Sequence, residues 1–161
     1  MQIELEPYGD TDLSLTQELE LDPEVMRELG GPSAPARFPE LHRIRVADPL
    51  YFKIVADGTA AGTVGVWAKA HHGAEIFETG WMVLPRFQRR GIASAGLQLL
   101  IARARSEPRI ASINAFPPVT NTRSNALCRK SGFELLEEVE FIYAGRRLHC
   151  NHWKLDTPPL T

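Results

Sequence analysis

Residues 83–94, Val-Leu-Pro-Arg-Phe-Gln-Arg-Arg-Gly-Ile-Ala-Ser, lie between two contrasting sequence patterns. Before them, residues 77–84 form a mainly apolar run whose one charge is Glu78, and this predicts a strand that Pro85 ends. After them, the apolar pattern of residues 92–104 predicts a helix. We therefore expect a strand, a short loop and a helix N-terminus in succession.

The loop at residues 88–93, Gln-Arg-Arg-Gly-Ile-Ala, has the properties of an anion-binding loop. Its small residues let the backbone approach a ligand, and the first helical turn offers free N–H groups and a favourable dipole. Arg86, Arg89 and Arg90 add positive charge at the rim, so a pyrophosphate is the expected ligand. The P-loop pattern is absent from the sequence, and only Gly91 could belong to a dinucleotide fingerprint.

Residues 88–93 resemble the Gln/Arg-x-x-Gly-x-Gly/Ala signature of the GNAT N-acetyltransferase superfamily, which binds the pyrophosphate of acetyl-coenzyme A. About thirty residues later, residues 121–133 resemble the second block of that family, Asn-x-x-Ser/Ala-x-x-Leu-Tyr-x-Lys-x-Gly-Phe. The matching positions are Asn121, Ser124, Leu127, Lys130, Gly132 and Phe133. The resemblance covers residues 50–155, and residues 26–32 and 78–81 are most similar to the branch of ribosomal-protein N-terminal acetyltransferases.

The resemblance implies a single α/β domain in which helices flank a mixed, mostly antiparallel sheet. It also implies that the strand before the loop splays away from its parallel neighbour. A length of 161 residues suits one domain with its own core. We expect residues 1–50 on the acceptor side, 51–133 as the cofactor-binding core, 134–156 as a C-terminal hairpin and 157–161 as a frayed tail.

Periodicity and turn residues predict the individual elements. The expected strands are 3–6, 51–56, 63–69, 74–84, 109–116, 135–143 and 148–155. The expected helices are 14–21, 23–29, 33–47, 92–106 and 122–131. Asp22 and Asn121 are predicted N-caps, and the helix at 92–106 is apolar nearly all round, which predicts that it packs against the sheet rather than lying on the surface.

Composition excludes several classes of protein. Apolar residues make up 43% and charged residues 24%, as in ordinary globular domains, and the net charge of −2 gives no general attraction to nucleic acid. The sequence contains no apolar run long enough to span a membrane, and its acidic first residues do not resemble a secretory signal. Two cysteines form no disulfide framework, which favours a cytoplasmic location. Monomer and homodimer both stay open.

In the family, the exposed backbone of the splayed strand pairs with the pantetheine arm, and one N–H stabilises the oxyanion. The residues that the resemblance assigns to the cofactor are Met82, Val83, Leu84, Gln88, Arg89, Arg90, Gly91, Ile92, Ala93, Ser94, Asn121 and Arg129.

Transfer to an amine also requires a general base and a proton donor for the thiolate. Glu78, a carboxylate in an otherwise apolar segment, is the predicted base, with Glu75, His71 and His72 as alternatives. Cys128 occupies the position that the family usually gives to tyrosine and is a candidate donor, as are Ser124 and Tyr143. No metal is expected, because His149 and His152 should lie on opposite faces of a strand.

These features predict an acetyl-coenzyme A-dependent N-acetyltransferase that acts on a small-molecule amine or a protein N-terminus by direct transfer. Three alternatives stay open: a different acyl chain, a non-catalytic acyl-coenzyme A sensor, and a structural scaffold that binds no coenzyme.

Overall fold

A seven-stranded mixed sheet with the strand order β1-β2-β3-β4-β5-β7-β6 organises the computed structural model, which describes residues 1–159. All neighbouring strands are antiparallel except β4 and β5, which are parallel. The strands are β1 Ile3–Pro7, β2 Tyr51–Ala56, β3 Thr59–His71, β4 Ala74–Val83, β5 Ser112–Ala115, β6 Glu134–Tyr143 and β7 Arg146–Asp156. The helices are α1 Leu13–Leu21, α2 Pro23–Met26, α3 Phe38–Ala47, α4 Ile92–Arg105 and α5 Thr122–Lys130.

Two-residue turns connect the hairpins of the sheet. Asp57-Gly58, His72-Gly73 and Ala144-Gly145 all have positive φ at both positions, as the type I′ turn requires. The predicted loop at 57–62 is therefore too long, because β3 already starts at Thr59. Gly62 is required for close packing, since a Cβ there would lie 2.1 Å from the Met82 oxygen.

Each face of the sheet carries its own apolar layer. On one face, α4 packs Leu97, Leu100 and Ile101 against Ile54 and its neighbours in the strands. On the other face, helices α1–α3 cover a smaller cluster of Tyr8, Leu15, Leu19, Tyr51 and Leu84. Helix α4 packs against the sheet as predicted, and Leu99 on its outer side is 39% exposed.

The parallel pair β4–β5 is connected through α4 and separates almost at once. Its one registered pair is Glu78 with Asn114. Beyond that pair, residues 79–83 and 115–118 diverge, and Pro118 instead bridges to Cys150 on β7. The predicted splay is confirmed, and it opens a V-shaped gap in the middle of the sheet.

The N-terminal segment follows its predicted order with different boundaries. Asp22 caps α2 by accepting bonds from the amides of Glu24 and Val25, as expected. Helix α3 begins at Phe38 rather than at residue 33, after a 3₁₀ turn at Pro35–Arg37. Ile44 on this helix is 50% exposed, whereas Phe38 and Arg45 are buried.

The predicted frayed tail at 157–161 begins with an anchored residue. Thr157 is fully buried, and its Oγ1 and N–H donate to the oxygens of Ile110 and Ala111 at 3.0 and 2.9 Å. Residues 160–161 of that predicted tail lie outside the described residues. Across residues 1–159, no helix combines the length and the apolar character needed to cross a bilayer.

Candidate active site

A cavity of about 860 Å³ occupies the gap between β4 and β5 and extends to both faces of the sheet. This volume is in the range of small-ligand sites. Residues 79–83 form one wall and residues 115–118 the other. The loop before α4 and the start of α5 line one end of the cavity, and α2, α3 and the β6–β7 turn line the opposite end.

The free edge of β4 faces the gap with unpaired peptide groups. The N–H of Leu84 donates to Ala61 on β3 at 2.8 Å, and antiparallel pairs alternate, so the peptide groups of Trp81 and Val83 face away from β3. The oxygen of Val83 accepts a bond from Gln88 Nε2 at 2.9 Å. The N–H of Val83 and both peptide groups of Trp81 are left for a ligand strand.

Leu84, which was predicted to bind the cofactor, does not line the cavity. Its N–H and oxygen are both engaged, with Ala61 and with the amide of Phe87, and its side chain is buried under α1. Met82 and Val83 do line the cavity. Whether a peptide group of β4 faces β3 or the gap depends on the register between these two strands, and the sequence does not reveal that register.

The loop before α4 presents main-chain donors to the cavity. Arg89 and Gly91 have left-handed φ values of 63° and 76°, and α4 starts directly afterwards. No described side chain caps this helix, so the N–H groups of Ile92, Ala93 and Ser94 are free in the first turn. A Cβ on Gly91 would meet nothing within 4 Å, which leaves open space over the loop.

The side chains around the loop divide into two groups. Gln88 and Arg89 line the cavity, and Gln88 Oε1 accepts a bond from Arg123 Nη1 at 2.8 Å, which links the loop to α5. Arg90 and Arg129 do not line the cavity, and the Arg129 guanidinium instead lies 5.4 Å from the ring centre of Trp153. Neither of these two predicted cofactor ligands therefore lines the cavity.

Helix α5 contributes Asn121 and Ser124 to the cavity. Asn121 caps the helix as predicted, because its side-chain oxygen accepts the N–H of Ser124 at 3.1 Å. Ser124 Oγ in turn accepts a bond from Trp81 Nε1 at 3.3 Å. These bonds place a hydroxyl next to the open edge of β4.

Glu78 lies at the point where the two strands separate, on the α1–α3 face. Its side chain is 12% exposed and lines the cavity. Burial raises the pKa of the carboxyl above its ordinary value, while the Lys69 ammonium at 3.9 Å and a bond from Trp67 Nε1 at 2.9 Å oppose that shift. A carboxylate in this setting can accept a proton from a ligand in the cavity.

The three alternative bases are not in the cavity. Glu75 lies three residues before Glu78 on β4, so its side chain is on the opposite face of the strand. It lines a separate hollow beside α3. His71 and His72 stand at the end of the β3–β4 hairpin and are not among the cavity residues.

Cys128 is not a candidate proton donor in this structure. It is fully buried in the core under α5, it does not line the cavity, and burial raises its thiol pKa to about 12. It therefore packs as a small apolar residue. Tyr143 does line the cavity, from the end of β6, and burial raises its pKa to about 12 as well.

Lys69, Arg45 and Tyr51 also line the cavity on the α1–α3 face, and their sequence patterns did not predict that role. Lys69 and Trp67 lie beside Glu78 because β3 pairs Trp67 with Glu78, and a hairpin register could have indicated this. Arg45 and Tyr51 form a deeper wall, where Arg45 makes a buried ion pair with Glu20. No local pattern joins Glu20 to Arg45, which are 25 positions apart.

The geometry shows an open strand edge facing a helix N-terminus, and the sequence comparison identifies the family. Residues 2–134 match the family model described as the acetyltransferase (GNAT) domain. The chain belongs to the GNAT acetyltransferase family. No match was found among curated proteins.

Solved GNAT structures share this fold at low sequence identity. An acetyltransferase from Bacillus anthracis is 17% identical with a TM-score of 0.79, and the alignment covers 98% of this chain and 96% of that one. A phosphinothricin acetyltransferase from Sinorhizobium meliloti, in complex with acetyl-coenzyme A, is 20% identical over 98% and 90% of the chains, with a TM-score of 0.77. RimL, a ribosomal-protein α-N-acetyltransferase in complex with coenzyme A, is 17% identical over 97% and 94%, with a TM-score of 0.75.

Membership in the GNAT family makes this chain an acetyltransferase-type enzyme, as predicted. At identities of 20% and below, the solved structures establish the fold alone. The identity of the acceptor therefore depends on the residues of this cavity.

Proposed function

We propose that this GNAT protein transfers the acetyl group of acetyl-coenzyme A to a primary amine by direct attack in a ternary complex. The observation that carries the proposal is the gap between β4 and β5, because it joins an anion-binding helix N-terminus to a buried carboxylate. Coenzyme would enter from the α4–α5 end and the amine from the α1–α3 end. The acetyl carbon would lie between them.

The coenzyme would be held mainly by the backbone. Its pyrophosphate suits the free N–H groups of Ile92, Ala93 and Ser94, with Gln88, Arg89 and Gly91 around them. The pantetheine arm would add as a strand to the free edge of β4, where Trp81 and Val83 present their peptide groups. One of these two amides would donate to the carbonyl oxygen as negative charge develops there.

Glu78 would act as the general base. An alkylamine has a pKa near 10, so only about one molecule in a thousand is unprotonated at neutral pH. Glu78 would take a proton from the ammonium, directly or through a water, and the free amine would attack the thioester carbon. Collapse of the tetrahedral adduct forms the amide and breaks the carbon–sulfur bond.

The departing thiolate would receive its proton from Ser124, and the second proton that the attacking nitrogen loses as the amide forms would return to Ser124 through a water, so that coenzyme A leaves as the thiol. The Ser124 hydroxyl lies beside Trp81, whose peptide groups face the gap, and its bond from Trp81 Nε1 orients it there. Tyr143 stands across the cavity at the acceptor end and serves as the comparison in a test of this role.

The acceptor end of the cavity contains both acidic and basic side chains. Glu24, Glu28, Asp48 and Glu78 line it, as do Arg27, Arg37, Arg45 and Lys69, so its charges could pair with both the amine and an acidic group of an acceptor. A small-molecule amine and a protein N-terminus both carry the required positive charge, and we propose a cytoplasmic amine of one of these classes.

The test is the release of coenzyme A from acetyl-coenzyme A against a panel of polyamines, aminoglycosides, amino acids and short peptides, with products confirmed by mass. We expect one class to be acetylated, with intersecting initial-rate lines that report a ternary complex. Parallel lines would contradict direct transfer. Tight coenzyme binding without turnover on any amine would favour the sensor alternative.

A further inference from the structure

Outside the proposed active site, a cluster of imidazole and carboxylate groups lies at the far end of the sheet. His71 ends β3, His72 begins the turn that follows it, and Glu137 stands on β6. One ligand atom from each of the three residues lies within 4.8 Å of the other two. The cluster joins the β3–β4 hairpin to the opposite edge of the sheet.

The spacing of this cluster suits a metal ion. His72 Nε2 and Glu137 Oε1 are 3.5 Å apart. Two ligands bound to one tetrahedral zinc at about 2.1 Å are separated by about 3.4 Å, which is close to that distance. The side chains of His72 and Glu137 are 71% and 51% exposed, so both can adjust around an ion.

The inner side of the cluster contains imidazole nitrogens with no hydrogen-bond partner in the described part of the chain. His71 Nε2 is buried and unpartnered, and so is Nδ1 of His152, whose ring centre is 5.1 Å from that of His71. Buried polar atoms normally have partners. A metal ion bound through His71 Nε2 would supply the missing partner of that nitrogen.

The tautomer of His152 follows from its other nitrogen. Asn114 Nδ2 donates to the oxygen of Phe77 at 3.0 Å, which leaves its Oδ1 as an acceptor 2.8 Å from His152 Nε2. His152 Nε2 therefore carries the hydrogen, and Nδ1 carries a lone pair. His152 is 7% exposed, so this lone pair is buried next to His71 without a donor in the described part of the chain.

We propose that His71, His72 and Glu137 form a binding site for a divalent transition metal, with zinc as the best match to this donor set. Two imidazoles and one carboxylate suit zinc or its neighbours in the first row and do not suit magnesium or calcium, which prefer oxygen ligands. The site stands apart from the reaction. The bound ion would hold the β3–β4 hairpin, whose second strand carries Glu78, against β6, which carries Tyr143.

The experiment is calorimetric titration of zinc chloride into the tag-free protein after treatment with a chelator, at pH 7.5 in a weakly coordinating buffer. We expect one ion per chain. His72→Ala and Glu137→Gln should each weaken binding at least about tenfold, a loss that even second-shell changes produce at metal sites. Because both side chains are largely exposed, these variants are expected to fold.

His149→Ala is the matched control. His149 is a half-exposed histidine that lies 3.1 and 3.5 Å from two carboxylates, Glu140 and Glu138, and among residues 1–159 no second imidazole joins it in such a cluster. Its removal should leave zinc affinity within twofold. Affinity unchanged in His72→Ala, or lost equally in His149→Ala, would overturn the proposal.

A second measurement counts the ligands. X-ray absorption at the zinc edge should show scattering from at least two imidazole rings in the wild-type complex and one fewer in His72→Ala. Zinc should also raise the melting temperature of the wild type and not of His72→Ala. An absorption spectrum with oxygen ligands alone would contradict the site.

Discussion

At the scale of single residues, the environment of Glu78 determines its chemistry. The carboxyl is largely buried in an apolar strand, yet it keeps a cation at 3.9 Å and an indole donor at 2.9 Å. Burial raises its pKa and those two neighbours lower it, so the group can be a carboxylate at neutral pH and still be a better base than an exposed glutamate.

Glu78→Gln should lower kcat by roughly 10² or more, because the amide cannot accept the ammonium proton. In the wild type, activity should fall as the pH drops through the raised pKa of Glu78, above its ordinary 4.5. This fall on the acidic side of the pH–rate profile should be absent in Glu78→Gln, while the affinity for acetyl-coenzyme A stays the same. A variant profile that matches the wild type would assign the base to another group.

The same carboxyl should influence stability in a defined direction. Its pKa is higher in the folded chain than in the unfolded one, so the folded state binds more protons. The free energy of unfolding therefore falls as the pH rises from the unfolded-state pKa to the folded-state pKa. Above it, the buried charge lowers the free energy of unfolding. Urea unfolding should therefore show that Glu78→Gln gains stability relative to the wild type as the pH rises above the ordinary glutamate pKa of 4.5. A gain confined to lower pH would contradict this sign.

The proton donor is tested by a pair of variants on α5. Ser124→Ala should lower kcat several-fold with little change in stability, because Ser124 lines the cavity. Cys128→Ser should leave kcat almost unchanged and lower the melting temperature, because it places a hydroxyl in an apolar core. A large loss of kcat in Cys128→Ser with normal stability would restore the thiol to the mechanism, and Tyr143→Phe gives the comparison from the opposite wall.

At the scale of elements, the loop before α4 acts through its backbone. Gly91 has a φ of 76° and open space where a Cβ would be, so this position combines left-handed backbone with clearance for a ligand. Gly58, in the β2–β3 turn, has a φ of 81° and equally open space, but it lies away from the cavity. The two glycines form a matched pair.

Gly91→Glu and Gly58→Glu should lose similar stability, about 1–2 kcal/mol for a side chain in left-handed backbone. Only Gly91→Glu should lose coenzyme binding, because its carboxylate would occupy and repel the pyrophosphate position. Isothermal titration with acetyl-coenzyme A and thermal unfolding measure the two effects separately. Equal coenzyme affinity in both variants would remove the loop from the binding site.

Sequence alone predicted those elements whose signals are local. The strand–loop–helix unit at residues 77–105 and the Asn121 cap follow from short patterns of apolar, glycine and capping residues. The residues that were misassigned depend on long-range register. Leu84 differs from Val83 only through its pairing with Ala61, and Cys128 faces the core because α5 packs with that side inward.

The N-terminal third was the least predictable part for the same physical reason. Helix α3 starts five residues late because two prolines and a 3₁₀ turn reshape its first turns. Its Arg45 is buried only because Glu20, on another helix, pairs with it. The proximity of His71 to Glu137 likewise arises from the folding of the sheet, and no sequence spacing indicates it.

At the scale of the whole molecule, the separation of β4 from β5 creates the site. The two layers that cover the sheet leave its centre open, and the gap lets a ligand strand on one side meet an acceptor on the other. The antiparallel neighbours on both sides hold β4 and β5 apart, since each has a full ladder with β3 or β7. The cavity therefore results from the sheet topology. The loop before α4 and Glu78 supply the groups that we propose bind the coenzyme and accept the proton.

The most direct test of this account is amide hydrogen exchange, resolved by residue with NMR, in the free protein and with saturating acetyl-coenzyme A. We predict new protection at the amides of Trp81 and Val83 and at Ile92, Ala93 and Ser94, with little change at Met82 and Leu84, which are already bonded to β3. Protection confined to the outer surface, with the amides of Trp81 and Val83 still exchanging freely, would contradict the claim that the gap between β4 and β5 is the coenzyme site.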